Sequence, residues 1–350
     1  MTTPTPTRRT LLAATAAAAP FAATVLAAPR LARGQGALTR VRFVLDWAFQ
    51  GPQAVYLMGL DRGYFRDEGL DVAIDRGFGS GDTPVKVAGG AYDVGIADLS
   101  PAIRLRLTQP ASDVVATLVI AQASPLAAMT LRRTGIRAPK DLEGRRVAAP
   151  ETDSGRQLFP AFARATGIDA SKINWVTVTP QLREPMLARG EAEAITGFET
   201  SGIFSLRAVN VRAEDIVSMR YADHGVVLLS TALLARRPYA EANPRVMQGM
   251  ARAIARAHAE ALRDPDAAIA ALLRRDATAP AALEKERLVA NMAFINTPEV
   301  ARGGLLGALS MERVQAAIET VRTAFDIEAR LAASDLYLPG AVPSDGLRLA

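Results

Sequence analysis

Short apolar runs alternate with amphipathic segments along most of the chain. From residue 41 onward, each run is followed by a segment whose apolar residues recur at helical spacing, bounded by Gly or Pro. Strands that alternate with helices in this way predict a mostly parallel sheet covered by helices on both faces. The runs predicted to be strands are 41–45, 70–74, 92–97, 114–121, 126–131, 146–149, 175–178 and 192–197.

Proline and capping residues mark where the helices begin. A proline follows Thr83, Ser100 and Asn243, and each of these pairs is typical of a helix N-terminus. Beyond the long apolar stretch 226–234, the pattern is helical throughout. The predicted helices are 52–62, 83–90, 154–165 and 181–189, a short turn at 139–144, and further helices that begin near 100, 243, 264, 297 and 310.

The length of 350 residues predicts two domains, at about 150 residues each. The strand and helix pattern divides into two sets, which we place at 38–125 and 126–225. No low-complexity linker separates them, so we expect strands near 124–131 and 222–230 to cross between two lobes. Residues 226–350 are expected to return to the first lobe as one strand and the C-terminal helices.

The first 34 residues are predicted to be an export signal. The pair Arg8-Arg9 directly precedes an apolar run from 11 to 28, and the small residues Ala32 and Gly34 fit a signal-peptidase site. We therefore expect export to the periplasm by the twin-arginine pathway, with cleavage after Gly34. The alternative is an uncleaved membrane anchor, because a run of this length nearly spans a bilayer.

Composition excludes several classes of function. The chain has no cysteine, which excludes disulfides, thiolate metal sites and a cysteine nucleophile. Its two histidines, His224 and His258, are interpreted as structural or exposed. The net charge is +5, but four of the 41 basic residues lie in the first 34 positions, where there is no acid. The rest of the chain is close to neutral, so we expect no nucleic-acid partner.

The segments that directly follow the predicted strands are rich in aromatic and acidic residues. Ligands of open parallel sheets bind beyond the carboxyl ends of the strands, so these segments predict the binding site. Arg76 and Arg156 are the only cations near them in the sequence, so an anion would depend mainly on helix N-termini. The segments are 46–50, 77–83, 97–100, 150–154 and 197–200.

Four motifs in a fixed order resemble the extracellular solute-binding proteins of ABC importers. They are Leu45-Asp46-Trp47, the segment 61–72 (DRGYFRDEGLDV), the segment 79–82 (GSGD) and the segment 92–98 (YDVGIAD). The resemblance covers residues 40–330 and is closest to the branch for thiamine-pyrimidine precursors, nitrate and sulfonates. It implies an α/β, two-lobed periplasmic-binding-protein type II fold, in which each lobe is a mostly parallel sheet flanked by helices and the lobes close on a ligand.

Two segments depart from the pyrimidine-binding members of this family. Those members resemble one another in a Pro-Asn and a following His after the Trp, where this chain has AFQGPQ at 48–53. The Gly-Asn-Gly that often follows the Tyr-Ala-Asp segment (here 221–223) is replaced by VVLL at 226–229. The fungal pyrimidine-synthase enzymes of this fold resemble one another in a cysteine-rich segment and an active His, both of which this chain lacks. We therefore predict no catalytic residue, no cofactor and no metal.

The expected ligand is a neutral or weakly cationic planar heterocycle with amino or amide donors. Trp47 is interpreted as a plate for stacking, and Asp98 and Glu199 as acceptors of charge-assisted hydrogen bonds of about 1.5–3 kcal/mol. A small oxyanion or sulfonate held by helix N-termini near Ser80 and Ser154 is the alternative. The candidate ligand contacts are Asp46, Trp47, Phe49, Gln50, Gln53, Ser80, Gly81, Asp82, Thr83, Asp98, Asp153, Ser154, Glu199 and Tyr221.

Each polar candidate also has a structural interpretation as a helix cap or a solvated loop residue. The expected partners are the small-molecule ligand and an ABC permease in the inner membrane, and we expect a monomer. Two alternatives from other classes are an exported enzyme on the same fold and a sensory module that passes its closed form to a membrane receptor. No nucleophile and base are recognisable as a pair in the sequence, which argues against the enzyme.

Overall fold

The computed structural model describes residues 37–350 except 308, 343–346 and 350. The expected signal peptide and its cleavage site lie outside the described residues. Within the described part, no helix is both long enough and apolar enough to cross a membrane.

Ten strands and fourteen α-helices are seen among the described residues. The strands are β1 (Thr39–Val44), β2 (Leu70–Asp75), β3 (Val94–Asp98), β4 (Val114–Val119), β5 (Leu126–Leu131), β6 (Arg146–Ala149), β7 (Asn174–Thr177), β8 (Ala194–Phe198), β9 (Ile216–Arg220) and β10 (Thr231–Arg236). The helices are α1 (Gly51–Asp61), α2 (Tyr64–Asp67), α3 (Thr83–Ala88), α4 (Leu99–Thr108), α5 (Ser154–Thr166), α6 (Arg183–Arg189), α7 (Glu199–Ala208), α8 (Arg237–Ala242), α9 (Pro244–Arg263), α10 (Pro265–Leu273), α11 (Ala281–Met292), α12 (Pro298–Ala301), α13 (Met311–Ala324) and α14 (Ala333–Leu336).

The strands form two five-stranded sheets of similar design. The first has the order β2-β1-β3-β10-β4, and β10 alone among these strands runs antiparallel to its neighbours. The second has the order β7-β6-β8-β5-β9, with β5 as the antiparallel strand. We call the part built on the first sheet lobe I and the part built on the second sheet lobe II. The prediction of two mostly parallel sheets flanked by helices is therefore confirmed.

Helices cover both faces of the sheets. As a result β3, β4 and β5 are buried along their whole length, which explains why they are continuous apolar runs in the sequence. The long helix α9 buries one face, including Val246, Met250 and Ile254, against the core of lobe I. A rigid sheet in each lobe thus positions the loops that follow the strands.

The chain crosses between the sheets twice, after β4 and after β9. The two crossing segments are hydrogen-bonded to each other, because Ser124 N donates to Leu228 O (3.1 Å) and Ser230 N donates to Ala121 O (3.0 Å). The apolar stretch 226–234 supplies this crossing with its first half and β10 with its second half. The expected crossing at 222–230 lies at the second of these segments, whereas of the expected range 124–131 only 124 and 125 belong to the first, because 126–131 is β5.

Most of the predicted strands are confirmed to within two residues at each end, and β5 and β6 match their predicted bounds. The pattern missed β9, a half-buried edge strand that pairs only with β5 among the described strands. It also missed α7, and it gave no separate start for α11 within the region predicted to be helical; both helices contain few large apolar residues on their buried faces. Both helices prove important because they line the cleft between the lobes.

Candidate functional site

A pocket lies between the two lobes, beyond the carboxyl ends of β1, β6 and β8. The space between atoms in and around its mouth amounts to about 680 Å³, part of which is open to solvent. Asp46 and Trp47 follow β1, Asp153 and Ser154 stand at the start of α5 after β6, and Thr200 follows β8. This is the edge at which open α/β sheets generally bind ligands.

Half of the candidate ligand contacts line this pocket. They are Asp46, Trp47, Gln50, Gln53, Ser80, Asp153 and Ser154. Phe198 and Thr200 also line it and belong to the predicted segment 197–200, although they were not among the candidate contacts. Sequence reasoning missed the remaining lining residues, which are Pro52, Tyr56, Ile96, Arg183, Ser201, Thr231, His258, Asn291 and Ile295. Tyr56, His258 and Asn291 lie within helices α1, α9 and α11. They were not predicted because only the segments that directly follow strands were expected to form the site. The sequence alone indicates only a structural or exposed role for His258.

The carboxylate of Asp46 is a buried acid on the lobe I wall of the pocket. Gln53 Nε2 donates a hydrogen bond to Asp46 Oδ1 (2.9 Å). Burial raises the pKa of Asp46, and the hydrogen bonds from Gln53 and from the backbone oppose this increase without reversing it. Among the residues that the structure describes, no cation counters this increase. Asp46 is therefore an acceptor that would be stabilised by a donor or a positive charge on a ligand.

Trp47 contacts the opposite lobe through a cation–π interaction. The Arg183 guanidinium carbon lies 4.8 Å from the centre of the Trp47 ring. Trp47 comes from the loop after β1 and Arg183 is the first residue of α6, so this contact joins lobe I to lobe II. Both residues line the pocket.

Arg183 is almost completely buried, with 1% of its surface exposed, and its guanidinium is fully engaged by neighbouring groups. Its Nη1 atom donates to Asp153 Oδ2 and to Thr196 O (both 3.0 Å), and its Nη2 atom donates to Glu184 Oε1 (2.6 Å). Burial lowers the pKa of Arg183, but the two carboxylates outweigh it and hold that pKa above its usual value. A side chain at Gly197 would place its Cβ 2.3 Å from Arg183 Nη1, so a glycine is required there.

Several hydrogen bonds connect the lobes around the pocket. Gln50 Oε1 accepts from Ser201 Oγ (3.0 Å), and Gln50 Nε2 donates to Ser205 Oγ (3.4 Å). On the other side, Gly81 N donates to Thr152 O (2.9 Å). The predicted contact residue Gly81 therefore joins the lobes rather than lining the pocket.

A buried arginine of α11 completes this connection. Arg287 Nη2 donates to Ser205 Oγ of α7 (3.1 Å) and lies 3.3 Å from Glu284 Oε1. Glu284 Oε2 in turn accepts from Gly51 N (2.6 Å) at the start of α1. Burial lowers the pKa of Arg287, while Glu284 and Glu184 raise it. The bond from Arg287 to Ser205 thus connects the contact between α11 and α1 in lobe I to α7 in lobe II.

The N-terminus of α5 presents an unpaired hydroxyl to the pocket. Asp153 caps this helix, since its Oδ1 accepts from Arg156 N (2.9 Å). Ser154 Oγ is buried and has no hydrogen-bond partner among the described residues. Tyr221, a predicted contact, lies behind the pocket, where its hydroxyl donates to Gly155 O (2.8 Å). Its position is therefore that of a support for the helix start.

The two carboxylates expected to accept from the ligand lie outside the pocket lining. Asp98 is fully buried and caps α4, accepting from Ser100 N (2.8 Å) and Ser124 Oγ (3.0 Å). Glu199 is half-buried at the first residue of α7, with its backbone N donating to Pro125 O (2.7 Å).

Three other candidates have structural partners in lobe I. Asp82 forms an ion pair with Lys86, at 2.6 Å, within the first turn of α3. Thr83 Oγ1 donates to Leu45 O (3.1 Å) and so ties α3 to β1. Phe49 is half-buried and packs against the core of lobe I.

Replacing Asp98 by Asn should make stability less dependent on pH. Burial raises the pKa of Asp98 from its usual 3.8 to about 6. Between these pH values the folded protein keeps a proton on Asp98 that the unfolded chain has lost. The free energy of unfolding therefore falls as the pH rises through this range. We expect Asp98→Asn to increase that free energy by about 2 kcal/mol at neutral pH and to leave it little changed near pH 4.

Urea denaturation of both proteins between pH 4 and pH 7 measures this effect. The Asn side chain can still accept from Ser100 N, so the cap of α4 is retained. A difference in the free energy of unfolding that is the same at every pH would contradict the raised pKa of Asp98. Glu328→Gln, at an exposed position after α13, is a control for the loss of one carboxylate.

This chain is similar in sequence and in fold to several known proteins. A model of the NMT1/THI5-like family matches residues 52–268. The formylaminopyrimidine-binding protein of Halalkalibacterium halodurans is 25% identical over 239 residues, which cover 68% of this chain and 71% of that protein. The alkanesulfonate-binding protein SsuA of Xanthomonas axonopodis pv. citri, bound to MOPS, has a similar structure with a TM-score of 0.66 and 15% identity, covering 87% of this chain and 99% of that chain.

The periplasmic nitrate-binding protein NrtA of Synechocystis PCC 6803 is also similar, with a TM-score of 0.51 and 12% identity over 68% of this chain and 66% of that chain. At these identities the solved structures show a shared fold. That fold confirms the predicted two-lobed α/β architecture of periplasmic binding proteins. Because the family model matches more than half of the chain, this protein belongs to the NMT1/THI5-like family.

Proposed function

We propose that this protein captures a planar amino-heterocycle of pyrimidine-like size and delivers it to an ABC permease. The observation that carries the proposal is the buried carboxylate of Asp46, which faces the pocket without a cation to balance it. Beside it, Trp47, Tyr56 and Phe198 give the pocket aromatic walls. An amino group at Asp46 and a ring against these walls would satisfy both features. The formylaminopyrimidine-binding relative supports the same ligand class.

The charges around the pocket favour this ligand over an oxyanion. Arg183 is the only cationic side chain among the described lining residues, and Asp153 and Glu184 already neutralise it. Asp46 adds another negative charge, so the site as a whole is acidic. A sulfonate or nitrate would meet this charge and would depend on Ser154 and the starts of α5 and α7.

Capture by closure of the lobes is part of the proposal. The bonds from Gln50 to Ser201 and Ser205 join the lobes directly over the pocket, so they form only when the lobes are together. The paired crossing segments are the expected hinge, and opening would release the ligand without chemistry. We propose that the closed monomer is the form that a permease recognises and that the protein is not an enzyme.

Export completes the proposed function. We assign residues 1–34 to a twin-arginine signal peptide that is cleaved after Gly34 and delivers the protein to the periplasm. We assign lobe I to 38–125 and 226–350, and lobe II to 126–225, in agreement with the strands of each sheet.

Isothermal titration with three probes tests the ligand class. We expect 4-aminopyrimidine to bind with a dissociation constant in the micromolar range or below, which corresponds to about 8 kcal/mol or more. Ethanesulfonate and nitrate should bind far more weakly. Asp46→Asn should weaken binding of 4-aminopyrimidine about tenfold or more, because a charge-assisted hydrogen bond contributes about 1.5–3 kcal/mol.

Asp82→Asn is the matched control, since Asp82 lies outside the pocket lining and its loss should leave affinity unchanged. Tight binding of ethanesulfonate or nitrate without binding of 4-aminopyrimidine would overturn the proposal and favour the oxyanion alternative. Small molecules released by denaturing the protein from its native periplasm, identified by mass spectrometry, give an independent check on the ligand class.

A further inference from the structure

His258 is a buried residue of the pocket whose chemistry the proposed function does not use. It lies on α9, is 1% exposed, and lines the pocket beside Tyr56, whose ring meets it edge-on with 5.6 Å between ring centres. His258 Nδ1 lies 2.8 Å from Ile254 O. Because a carbonyl oxygen only accepts hydrogen bonds, Nδ1 carries the proton in this contact.

The second ring nitrogen of His258 is consequently an acceptor. Burial lowers the pKa of His258 to about 4, so the ring is neutral at physiological pH. In a neutral imidazole with a proton on Nδ1, the Nε2 atom has a free lone pair. In this state His258 can accept one hydrogen bond from a ligand in the pocket, and it carries no positive charge that would repel an N–H donor of the ligand.

Gln53 supplies another acceptor to the same wall of lobe I. Its Nε2 atom is engaged by Asp46, so its Oε1 atom is turned the other way. Gln53 is 6% exposed, and Oε1 has no hydrogen-bond partner among the described residues. A buried acceptor without a partner destabilises the empty site, and a hydrogen-bond donor on a ligand would remove that cost.

We propose that His258 Nε2 and Gln53 Oε1 determine specificity, by selecting ligands that present N–H donors on the edge facing lobe I. This inference rests on the proposed function and makes the ligand class more specific. With Asp46 they form a wall of acceptors, which matches an exocyclic amino group and excludes a carbonyl or a methyl group at the same position. A carbonyl would place oxygen against oxygen, and a methyl group would leave every acceptor unpaired.

Affinities for two probes of nearly equal shape test the proposal. 4-Aminopyrimidine carries the donors, and 4-methylpyrimidine lacks them. We expect the wild-type protein to prefer the amino compound by about 100-fold or more. His258→Leu should reduce this preference about tenfold by weakening only the amino compound, and His258→Gln, which keeps an acceptor, should restore part of it.

Gln53→Met is a second variant with the same expected loss of preference. Ile295→Val is the matched control, because it alters the pocket wall without removing an acceptor and should change both affinities equally. A thermal melt of each variant establishes that it is folded.

The possible outcomes separate this inference from the proposed function. Wild-type protein that binds neither pyrimidine would overturn the proposed function and the inference together. Wild-type protein that binds both pyrimidines equally would overturn the inference alone. If His258→Leu weakened both probes by the same factor, the residue would have a structural role and its assignment to specificity would be wrong.

Discussion

Replacing Arg183 by Met is expected to lower the free energy of unfolding by about 3–5 kcal/mol. Arg183 is buried between Asp153 and Glu184, and its removal leaves both carboxylates inside the protein without their cation. An uncompensated buried charge is far more costly than the loss of an ion pair on the surface. Chemical denaturation of the variant and the wild-type protein measures the difference.

The change Arg189→Met on the same helix is the control. Arg189 pairs with Glu191 at the surface, so its removal should alter stability by less than about 1 kcal/mol. Adding Asp153→Asn and Glu184→Gln to Arg183→Met should recover part of the loss, because the stranded charges are then gone. Equal losses at Arg183 and Arg189 would show that the buried network does not stabilise the fold.

Trp47→Ala is expected to weaken binding of 4-aminopyrimidine tenfold or more. The ring supplies a wall of the pocket and interacts with Arg183 across the cleft at 4.8 Å. Its removal takes away ligand stacking, worth about 0.5–1.5 kcal/mol beyond burial, and also a contact that favours the closed lobes. Isothermal titration gives the change in dissociation constant.

Trp175→Ala is a suitable comparison, because Trp175 makes a similar contact with Arg156 (4.9 Å) but lies outside the pocket lining. Its affinity should match that of the wild-type protein. An oxyanion bound at helix N-termini would be little affected by Trp47→Ala. Unchanged affinity of the Trp47 variant for a pyrimidine that binds the wild-type protein would refute the stacking role.

Position relative to the strand ends predicted several of the candidate residues that line the pocket. Asp46, Trp47 and Ser154 directly follow strands β1 and β6, and the carboxyl ends of parallel strands meet at one edge of a sheet. Asp98 is the last residue of β3 and lies at the same edge, yet it is outside the lining because its carboxylate accepts from Ser100 N and caps α4. Both orientations are compatible with the same sequence pattern.

Pocket residues that lie within helices could not be predicted from their position relative to the strands. His258 belongs to the apolar face of α9, where a buried histidine resembles any other core residue in the sequence. Arg183 and Arg287 are arginines in short helices, and such residues are ordinarily exposed. Only the approach of α6 and α11 to the cleft makes them buried parts of the site.

The sequence by itself determined the succession of strands and helices, the two sheets and the edge at which the pocket lies. These features depend on which residues of each strand and helix are buried, and the spacing of apolar residues within each segment indicates this. The tertiary structure decided which polar groups meet, such as Trp47 with Arg183, or Gln50 with Ser201. Those contacts join residues more than 100 positions apart across two lobes, and they depend on distances of a few ångströms that no local pattern encodes.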